Sequence, residues 1–309
     1  MPVLSRVPII RSFSNVQERA QVNLRSILVV VNQRNEVLLV HRNPEARSFG
    51  GVHVFPGGNH DPNQDASLRI TAIRETFEET GLLLASPVQR EATTSRSEWE
   101  DARHAIHAQK LSFGEFLDRN GLKPGIDSLL PFTRWTTPEN VPRRFCTQFF
   151  VAFLSSLCSR FSSGTKQEHL LTSDGGQEIV SVRFLHPNDI LAEFRQKQIT
   201  LMPPQFYILS TLSDIFISNA NTQKQRDHIE ELSSGAFGRL SINPKPLPMK
   251  SGTNGVILTY EGDETRGGPP GRLHRASVKF EKSGVTSEVQ LYRNFNIFKD
   301  LEELTPSKL

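Results

Sequence analysis

The stretch Arg74-Glu75-Thr76-Phe77-Glu78-Glu79-Thr80-Gly81 sets three carboxylates within five positions. Helical residues advance about 100° each, so Glu75, Glu78 and Glu79 share an arc of about 100° if the segment is helical. Carboxylates grouped this way suit a hard divalent cation such as Mg²⁺ or Mn²⁺, which takes a few carboxylates together with substrate phosphates. Ions held there neutralise a pyrophosphate and activate a water for in-line attack. The plain alternative is a solvated acidic face, with Arg74 offsetting Glu78 at i,i+4. The residues upstream decide between the two. Phe55-Pro56-Gly57-Gly58 places two glycines before the acidic segment, and glycine lets a backbone approach a ligand closely and expose its carbonyls and amides. Strand, Gly-Gly loop and a helix with outward carboxylates make a cation pocket, and we expect Glu75, Glu78, Glu79 and Gly57 as its metal-binding residues.

Several elements must position these groups. Ile70, Ile73 and Phe77 recur at helical spacing opposite the glutamates, and Gly81 sits where a C-cap belongs. The spacing predicts an amphipathic helix over about 65–80. The β-rich runs LRSILVVV and EVLLVHR, separated by NQRN, read as a hairpin-like pair, and GGVHVFPGG holds a short strand. LLLASP is a further strand ending near Pro87. Residues 88–127 break the rhythm and read as a helical insertion in two pieces, the second opened by a capping box from Ser112 to Glu115. Strands resume in LLPFTRWTT, RFCTQFFVAFL and EIVSVRFL, and a polar connection fills about 155–177. A helix starts at Pro187, and a Pro-Pro-Gln turn at 203–205 leads into another from about Gln205 to Asn219. The last ninety residues read as a small β-rich extension.

The chain has 309 residues, with 36 Lys plus Arg against 33 Asp plus Glu, a net charge of +3. That mild balance excludes the strongly basic character of a nucleic-acid binder. The 9 histidines lack metal-site spacing, and Cys146 and Cys158 alone cannot build a disulfide framework or a zinc ribbon. No apolar run reaches the length of a membrane span. The first 17 residues carry Arg6 and Arg11 and no acid, which makes a mitochondrial address a minor alternative. Ser307-Lys308-Leu309 closes the sequence and matches the tripeptide read by the peroxisomal import receptor, so a peroxisomal location is expected.

With these residues in hand, the chain resembles the Nudix hydrolase superfamily. The second half of that family's box is present as Arg74 to Leu82, with Thr76 in an apolar place. The first half departs from it: the interval from Gly58 to Arg74 is two residues longer, and Ala66 stands where the family has a glutamate. In the family that glutamate orients the arginine, a role Asp65 could partly fill by capping the helix. Just upstream, Leu38, Leu39, Arg42, Arg47, Gly51, Phe55, Pro56, Gly57, Gly58 and Asp61 fall in register with the coenzyme A diphosphatases of the superfamily. The forked donors of Arg42 and Arg47 suit phosphate oxygens. The segments TRWTTPENVPRRFCTQFFVAFL, TLMPPQFYIL and VILTYEGDETRG resemble the peroxisomal branch called Nudix motif 19.

The resemblance implies an α+β fold, a Nudix α/β/α sandwich with a mixed sheet between helices. It would have a helical insertion at 88–127 and a small C-terminal β-rich extension. The expected division is an N-terminal segment 1–20, a Nudix domain 21–220 and an extension 221–309. The implied activity is metal-dependent hydrolysis of coenzyme A or acyl-CoA to 3′,5′-ADP and 4′-phosphopantetheine, free or acylated. Rival readings are the same chemistry on NADH, ADP-ribose or another nucleoside diphosphate derivative, and a non-catalytic sensor of CoA or nucleotide. The missing zinc cysteines weigh against the NADH type. By the resemblance Glu75 and Glu79 are ligands, and Glu78 is a third ligand or shared. The base is Glu75 or a distant acid, Arg74 holds a glutamate in place, and Arg42, Arg47, Gly58 and Phe55 contact substrate. Arg143 and Arg144, beside Phe145, either bind phosphate and adenine or form an exposed turn. Glu178 is a candidate late acid. His53, Cys146, Trp99 and Trp135 are expected to pack.

Overall fold

Alternation along one strand explains the layering. In β1 (Val22–Val31), Ile27, Val29 and Val31 enter one core cluster while Leu28 and Val30 enter another. A strand buried on both faces reads as a continuous apolar run, as this one does. The computed structural model describes residues 22–45, 50–88, 96–139, 141, 143–154, 179–217, 222–247, 255–281 and 284–301. Arg47, Glu178, Cys158 and Ser307-Lys308-Leu309 lie outside the described residues.

β1 pairs in parallel with β8 (Arg144–Phe153) along its whole length. Its other edge meets β4 (Gly57–Asn59) and, at the hairpin, β2 (Val37–Arg42). The mixed sheet is completed by β3 (His53–Val54) and β9 (Ile179–Leu185) on β2, and by β7 (Leu130–Thr136) on β8. On one face lie α1 (Leu68–Thr80), α2 (Arg96–His107) and α3 (Phe113–Arg119). Phe77 of α1 stacks on Phe116 at 5.3 Å, and Trp99 meets both rings edge-on. Burying Phe77 alone stabilises by about 1.5–3 kcal/mol. The insertion is thus two helices bearing the expected Ser112–Glu115 capping box. It is closed by the small pair β5 (Ala85–Pro87) and β6 (Leu122–Pro124).

The other face carries α4 (Pro187–Arg195), α5 (Pro203–Ile215), α6 (Gln223–Ser234) and α7 (Ala236–Arg239). Helix α5 starts at Pro203 and stops at Ile215, not over Gln205 to Asn219 as expected. The two prolines occupy its first turn, where a missing N–H costs nothing. Helices α6 and α7 were not anticipated: α6 is polar along most of its length, and only Gln225, Ile229, Leu232 and Ser233 are buried. After them β10 (Ser241–Ile242) joins β7 in the main sheet.

A second, antiparallel sheet follows, built from β11 (Lys245–Leu247), β12 (Val256–Thr259), β13 (His274–Phe280) and β14 (Thr286–Arg293). Its Leu258, Tyr260, Ala276 and Val278 share one cluster with Trp135, Tyr207 and the inner residues of β1. The α+β architecture is as expected, and residues on both sides of position 220 contribute to one core. Among the described residues no helix is long and apolar enough to cross a membrane.

A buried polar string ties the second sheet to α5. Tyr207 Oη lies 2.9 Å from His274 Nε2, and His274 Nδ1 lies 2.6 Å from the Glu261 carbonyl. A carbonyl only accepts, so Nδ1 carries the proton and Nε2 accepts from the tyrosine. Burial, helped by Arg293 and opposed by the Glu261 carbonyl, lowers His274 from its ordinary 6.5 to about 4. Unfolded chains therefore bind more protons between those values, and stability falls as pH falls through that window. Each unit corresponds to about 1.4 kcal/mol, so His274 alone contributes on the order of 3 kcal/mol of acid lability. His53, desolvated and stacked on His41 at 4.2 Å, is also lowered to about 4 and acts in the same direction. Calorimetry should show a constant Tm above about pH 6.5 and a steady fall below it. A Tm that holds level down to about pH 4.5 would rule this out.

Candidate active site

Ser67, not Asp65, caps α1: its side chain accepts from the Ile70 amide, and the helix begins at Leu68. At the other end Gly81, at φ 72°, donates to the Phe77 carbonyl at 2.8 Å. Asp65 is left to do something else. Its buried carboxylate takes Arg74 Nε and Nη2 at 2.8 Å each, a bidentate fork, and also accepts from Thr71 Oγ1. It thereby orients the arginine, the task that the resemblance gives to the glutamate replaced by Ala66.

Arg74 is the hub. Nη1 donates to Glu78 Oε1 at 2.8 Å, and Nη2 lies 3.1 Å from Glu75 Oε1. Burial alone would lower its pKa. The bond to Asp65 and the charges of Glu75 and Glu78 outweigh that, and the guanidinium is held above its usual range. The expected outward acidic face is therefore corrected. Glu78 and Glu79 are only 7% and 5% exposed, because arginine cations and the neighbouring strand and helix enclose them.

The three carboxylates differ. Glu79 Oε2 accepts from the Gly57 amide at 2.9 Å, and Oε1 is 3.7 Å from Arg42 Nη1. The Gly57 N–H thus meets the site at Glu79. Glu75 is the most open of the three side chains. Glu78 faces Arg74 and, at 3.4 Å, His107 Nδ1. Glycine is needed at Gly57, which sits at φ 145° with room for no Cβ, since that atom would lie 2.3 Å from the Ser26 carbonyl. A Cβ on Gly58 would lie 2.3 Å from Glu75 Oε2. The glutamates thus seat directly on the backbone of β4.

Two further residues come from the insertion. Arg103, 3% exposed, donates Nε to the Glu78 carbonyl at 2.7 Å, and His107 reaches the Glu78 carboxylate. Their i,i+4 spacing marked a common helix face, but nothing in it named α1 as the partner. Phe55, expected at the substrate, is wholly buried edge-on to Phe149 and belongs to the core. His53 packs on His41, and Trp135 packs between Tyr207 and Tyr260. Cys146 is half-buried on β8 with a free thiol. Arg144 turns to the Thr137 carbonyl at 3.2 Å.

A cavity of about 560 Å³ opens beside Gly57 and Arg42. Arg25 and Arg143 also line it, and Arg25 stacks its guanidinium over Phe145 at 5.1 Å. A larger cleft, about 1270 Å³, lies between α5, α6 and β14, away from the glutamates. Among the described residues no three His, Cys, Asp or Glu side chains converge on one point, since each glutamate leans toward a cation. The donor set nonetheless fits a hard divalent ion: carboxylate oxygens of Glu75 and Glu79 rest on a glycine cradle that any Cβ would fill.

Residues 59–212 match the model of the NUDT19 Nudix domain. The chain belongs to the Nudix hydrolase family. Its Nudix match begins after the Arg42 strand and ends within α5, so the second sheet lies beyond it. The chain is 30% identical over 165 residues to the acyl-coenzyme A diphosphatase NUDT19 of Gallus gallus, covering 48% of this chain and 41% of that one. It is 27% identical over 248 residues to the putative nudix hydrolase 7 of Caenorhabditis elegans, covering 77% of this chain and 72% of that one. It therefore spans about two fifths of the length of its NUDT19 relatives. A Nudix hydrolase structure from Alicyclobacillus acidocaldarius superposes with a TM-score of 0.52 at 23% identity, over 62% of this chain and 91% of that one. That likeness shows the fold.

Proposed function

We propose that this Nudix chain hydrolyses the pyrophosphate of coenzyme A or acyl-CoA, releasing 3′,5′-ADP and 4′-phosphopantetheine or its acylated form. The observation that carries the reading is Arg42. It lies in the coenzyme A block of the sequence, borders the cavity, and reaches to 3.7 Å from Glu79. The names of the NUDT19 relatives support the substrate class. Glu75 and Glu79 would hold Mg²⁺ or Mn²⁺, which when bound offsets the pyrophosphate charge and lowers the pKa of water.

The chain's own residues do the rest. Arg42 grips a phosphate oxygen at the cavity edge. Arg74, locked by Asp65, fixes the direction of Glu75 and Glu78. Glu75, the most open carboxylate, takes the proton of the attacking water as its oxygen bonds to phosphorus and the bridging P–O bond breaks. Arg103 and His107 keep Glu78 in place from the insertion.

The test is chromatography with mass detection after incubation with Mg²⁺ or Mn²⁺ and CoA, acetyl-CoA, NADH or ADP-ribose. Appearance of 3′,5′-ADP from the CoA compounds, abolished by chelator, is the expected result. Cleavage of NADH or ADP-ribose alone, or binding of CoA with no turnover, would overturn it.

A further inference from the structure

Building on the reading of the chain as a CoA or acyl-CoA hydrolase, we infer that the cavity between the main sheet and the C-terminal sheet takes the pantetheine arm and acyl chain. In this assignment Gln205 is the polar contact to an amide of the arm, and the C-terminal sheet is the wall that reads acyl length. The cavity runs from Arg42 and Gly57, at the glutamates, to residues far along the chain. Val256 and Leu258 of β12 and Phe280 at the end of β13 form one wall, and Val141 and Met202 stand among the other lining residues. At about 560 Å³ it falls within the usual range for small-molecule sites, about 300–1,000 Å³.

Gln205 is the informative residue. It lines this cavity from the first turn of α5 and is only 8% exposed, yet among the described residues its Oε1 accepts no hydrogen bond. A buried acceptor left unmet is costly and calls for an explanation. An occupant bearing an N–H donor, with an apolar portion to lie along Val256, Leu258 and Phe280, supplies it. The acylated pantetheine arm meets that description, since it carries two amide N–H groups, no charge, and a thioester leading to a hydrocarbon tail. Phosphates suit Arg25, Arg42 and Arg143 of the same cavity, whereas Val256, Leu258 and Phe280 offer phosphate and ribose hydroxyls no partner and suit the arm and its acyl chain. The glutamates act on the pyrophosphate, so the arm leaving it enters the cavity at the Arg42 end.

The experiment compares the full chain with two wall variants and one Gln205 variant. Val256→Trp fills the cavity, and the ratio of kcat/KM for decanoyl-CoA to that for free CoA should fall at least tenfold. Phe280→Glu, at a position 44% exposed and so tolerant of change, should lower the same ratio if Val256→Trp melts early. Gln205→Met should weaken CoA binding about fivefold in chelator, as expected for one hydrogen bond, and leave 3′,5′-ADP binding unmoved. An unchanged acyl ratio in both wall variants overturns the inference. So does a loss of 3′,5′-ADP binding matching that of decanoyl-CoA, since the nucleotide would then occupy the cavity. Failure of the unaltered chain to cut free CoA strikes the functional reading itself, and the free-CoA reaction reports that independently.

Discussion

Glu79→Gln should lower kcat on CoA by about a hundred- to a thousandfold while leaving the fold intact. The substitution keeps the shape of the side chain and exchanges one oxygen for an amide nitrogen. Its remaining oxygen will turn to the Gly57 N–H, which now donates to Oε2 at 2.9 Å. The new NH₂ is then presented where Oε1 stands, 3.7 Å from Arg42. A donor there repels Arg42 and cannot ligate a cation, so the site loses charge at the place where charge develops in the transition state. Removal of a single preorganised electrostatic group of this kind costs about 10²–10³ in rate. The check is steady-state kinetics at saturating CoA, with calorimetry to confirm an unchanged Tm. Activity within threefold of the unaltered chain would remove Glu79 from the chemistry.

Arg74→Met should destabilise the fold by about 3–5 kcal/mol, the usual loss when one partner of a buried ionic cluster is deleted. Asp65, Glu78 and Glu75 all lean on this guanidinium, and the Asp65 carboxylate has no solvent exposure. Without Arg74 the acids must either stay charged in a poorly solvated place or take up protons. For a chain of this size the loss corresponds to a Tm lower by about 10 °C. Arg74→Lys should recover only part of it, because an ammonium cannot reproduce the two parallel bonds to Asp65. The double variant Asp65→Leu with Arg74→Met should be more stable than Arg74→Met alone, since it removes the stranded charge along with its partner. Urea unfolding of the three variants measures this directly. A loss below about 1 kcal/mol for Arg74→Met would show that the cluster is solvated and loosely held.

Much of this protein was determined by local sequence. The glutamate spacing, the Gly81 cap and the apolar positions Ile73 and Phe77 specify α1, because helical periodicity and glycine's left-handed backbone are properties of a few neighbouring residues. The β-branched run in β1 specified a strand for the same reason, and its burial on both faces came with the tertiary structure. The capping box at Ser112 was legible from two residues. Tertiary structure decided everything that depended on residues distant in the chain. Asp65 faces Arg74 only because the loop after β4 folds back over α1. Arg103 and His107 hold Glu78 only because α2 docks on α1, which i,i+4 spacing alone does not reveal. The acidic face is buried where sequence predicted an outward one, since helical periodicity says which residues share a face and not what will cover it. The C-terminal sheet, which read as an appendage, walls the cavity beside the glutamates. Its apolar residues find their partners in Trp135, Tyr207 and β1, more than forty positions away, and such pairing is set by packing and not by local sequence.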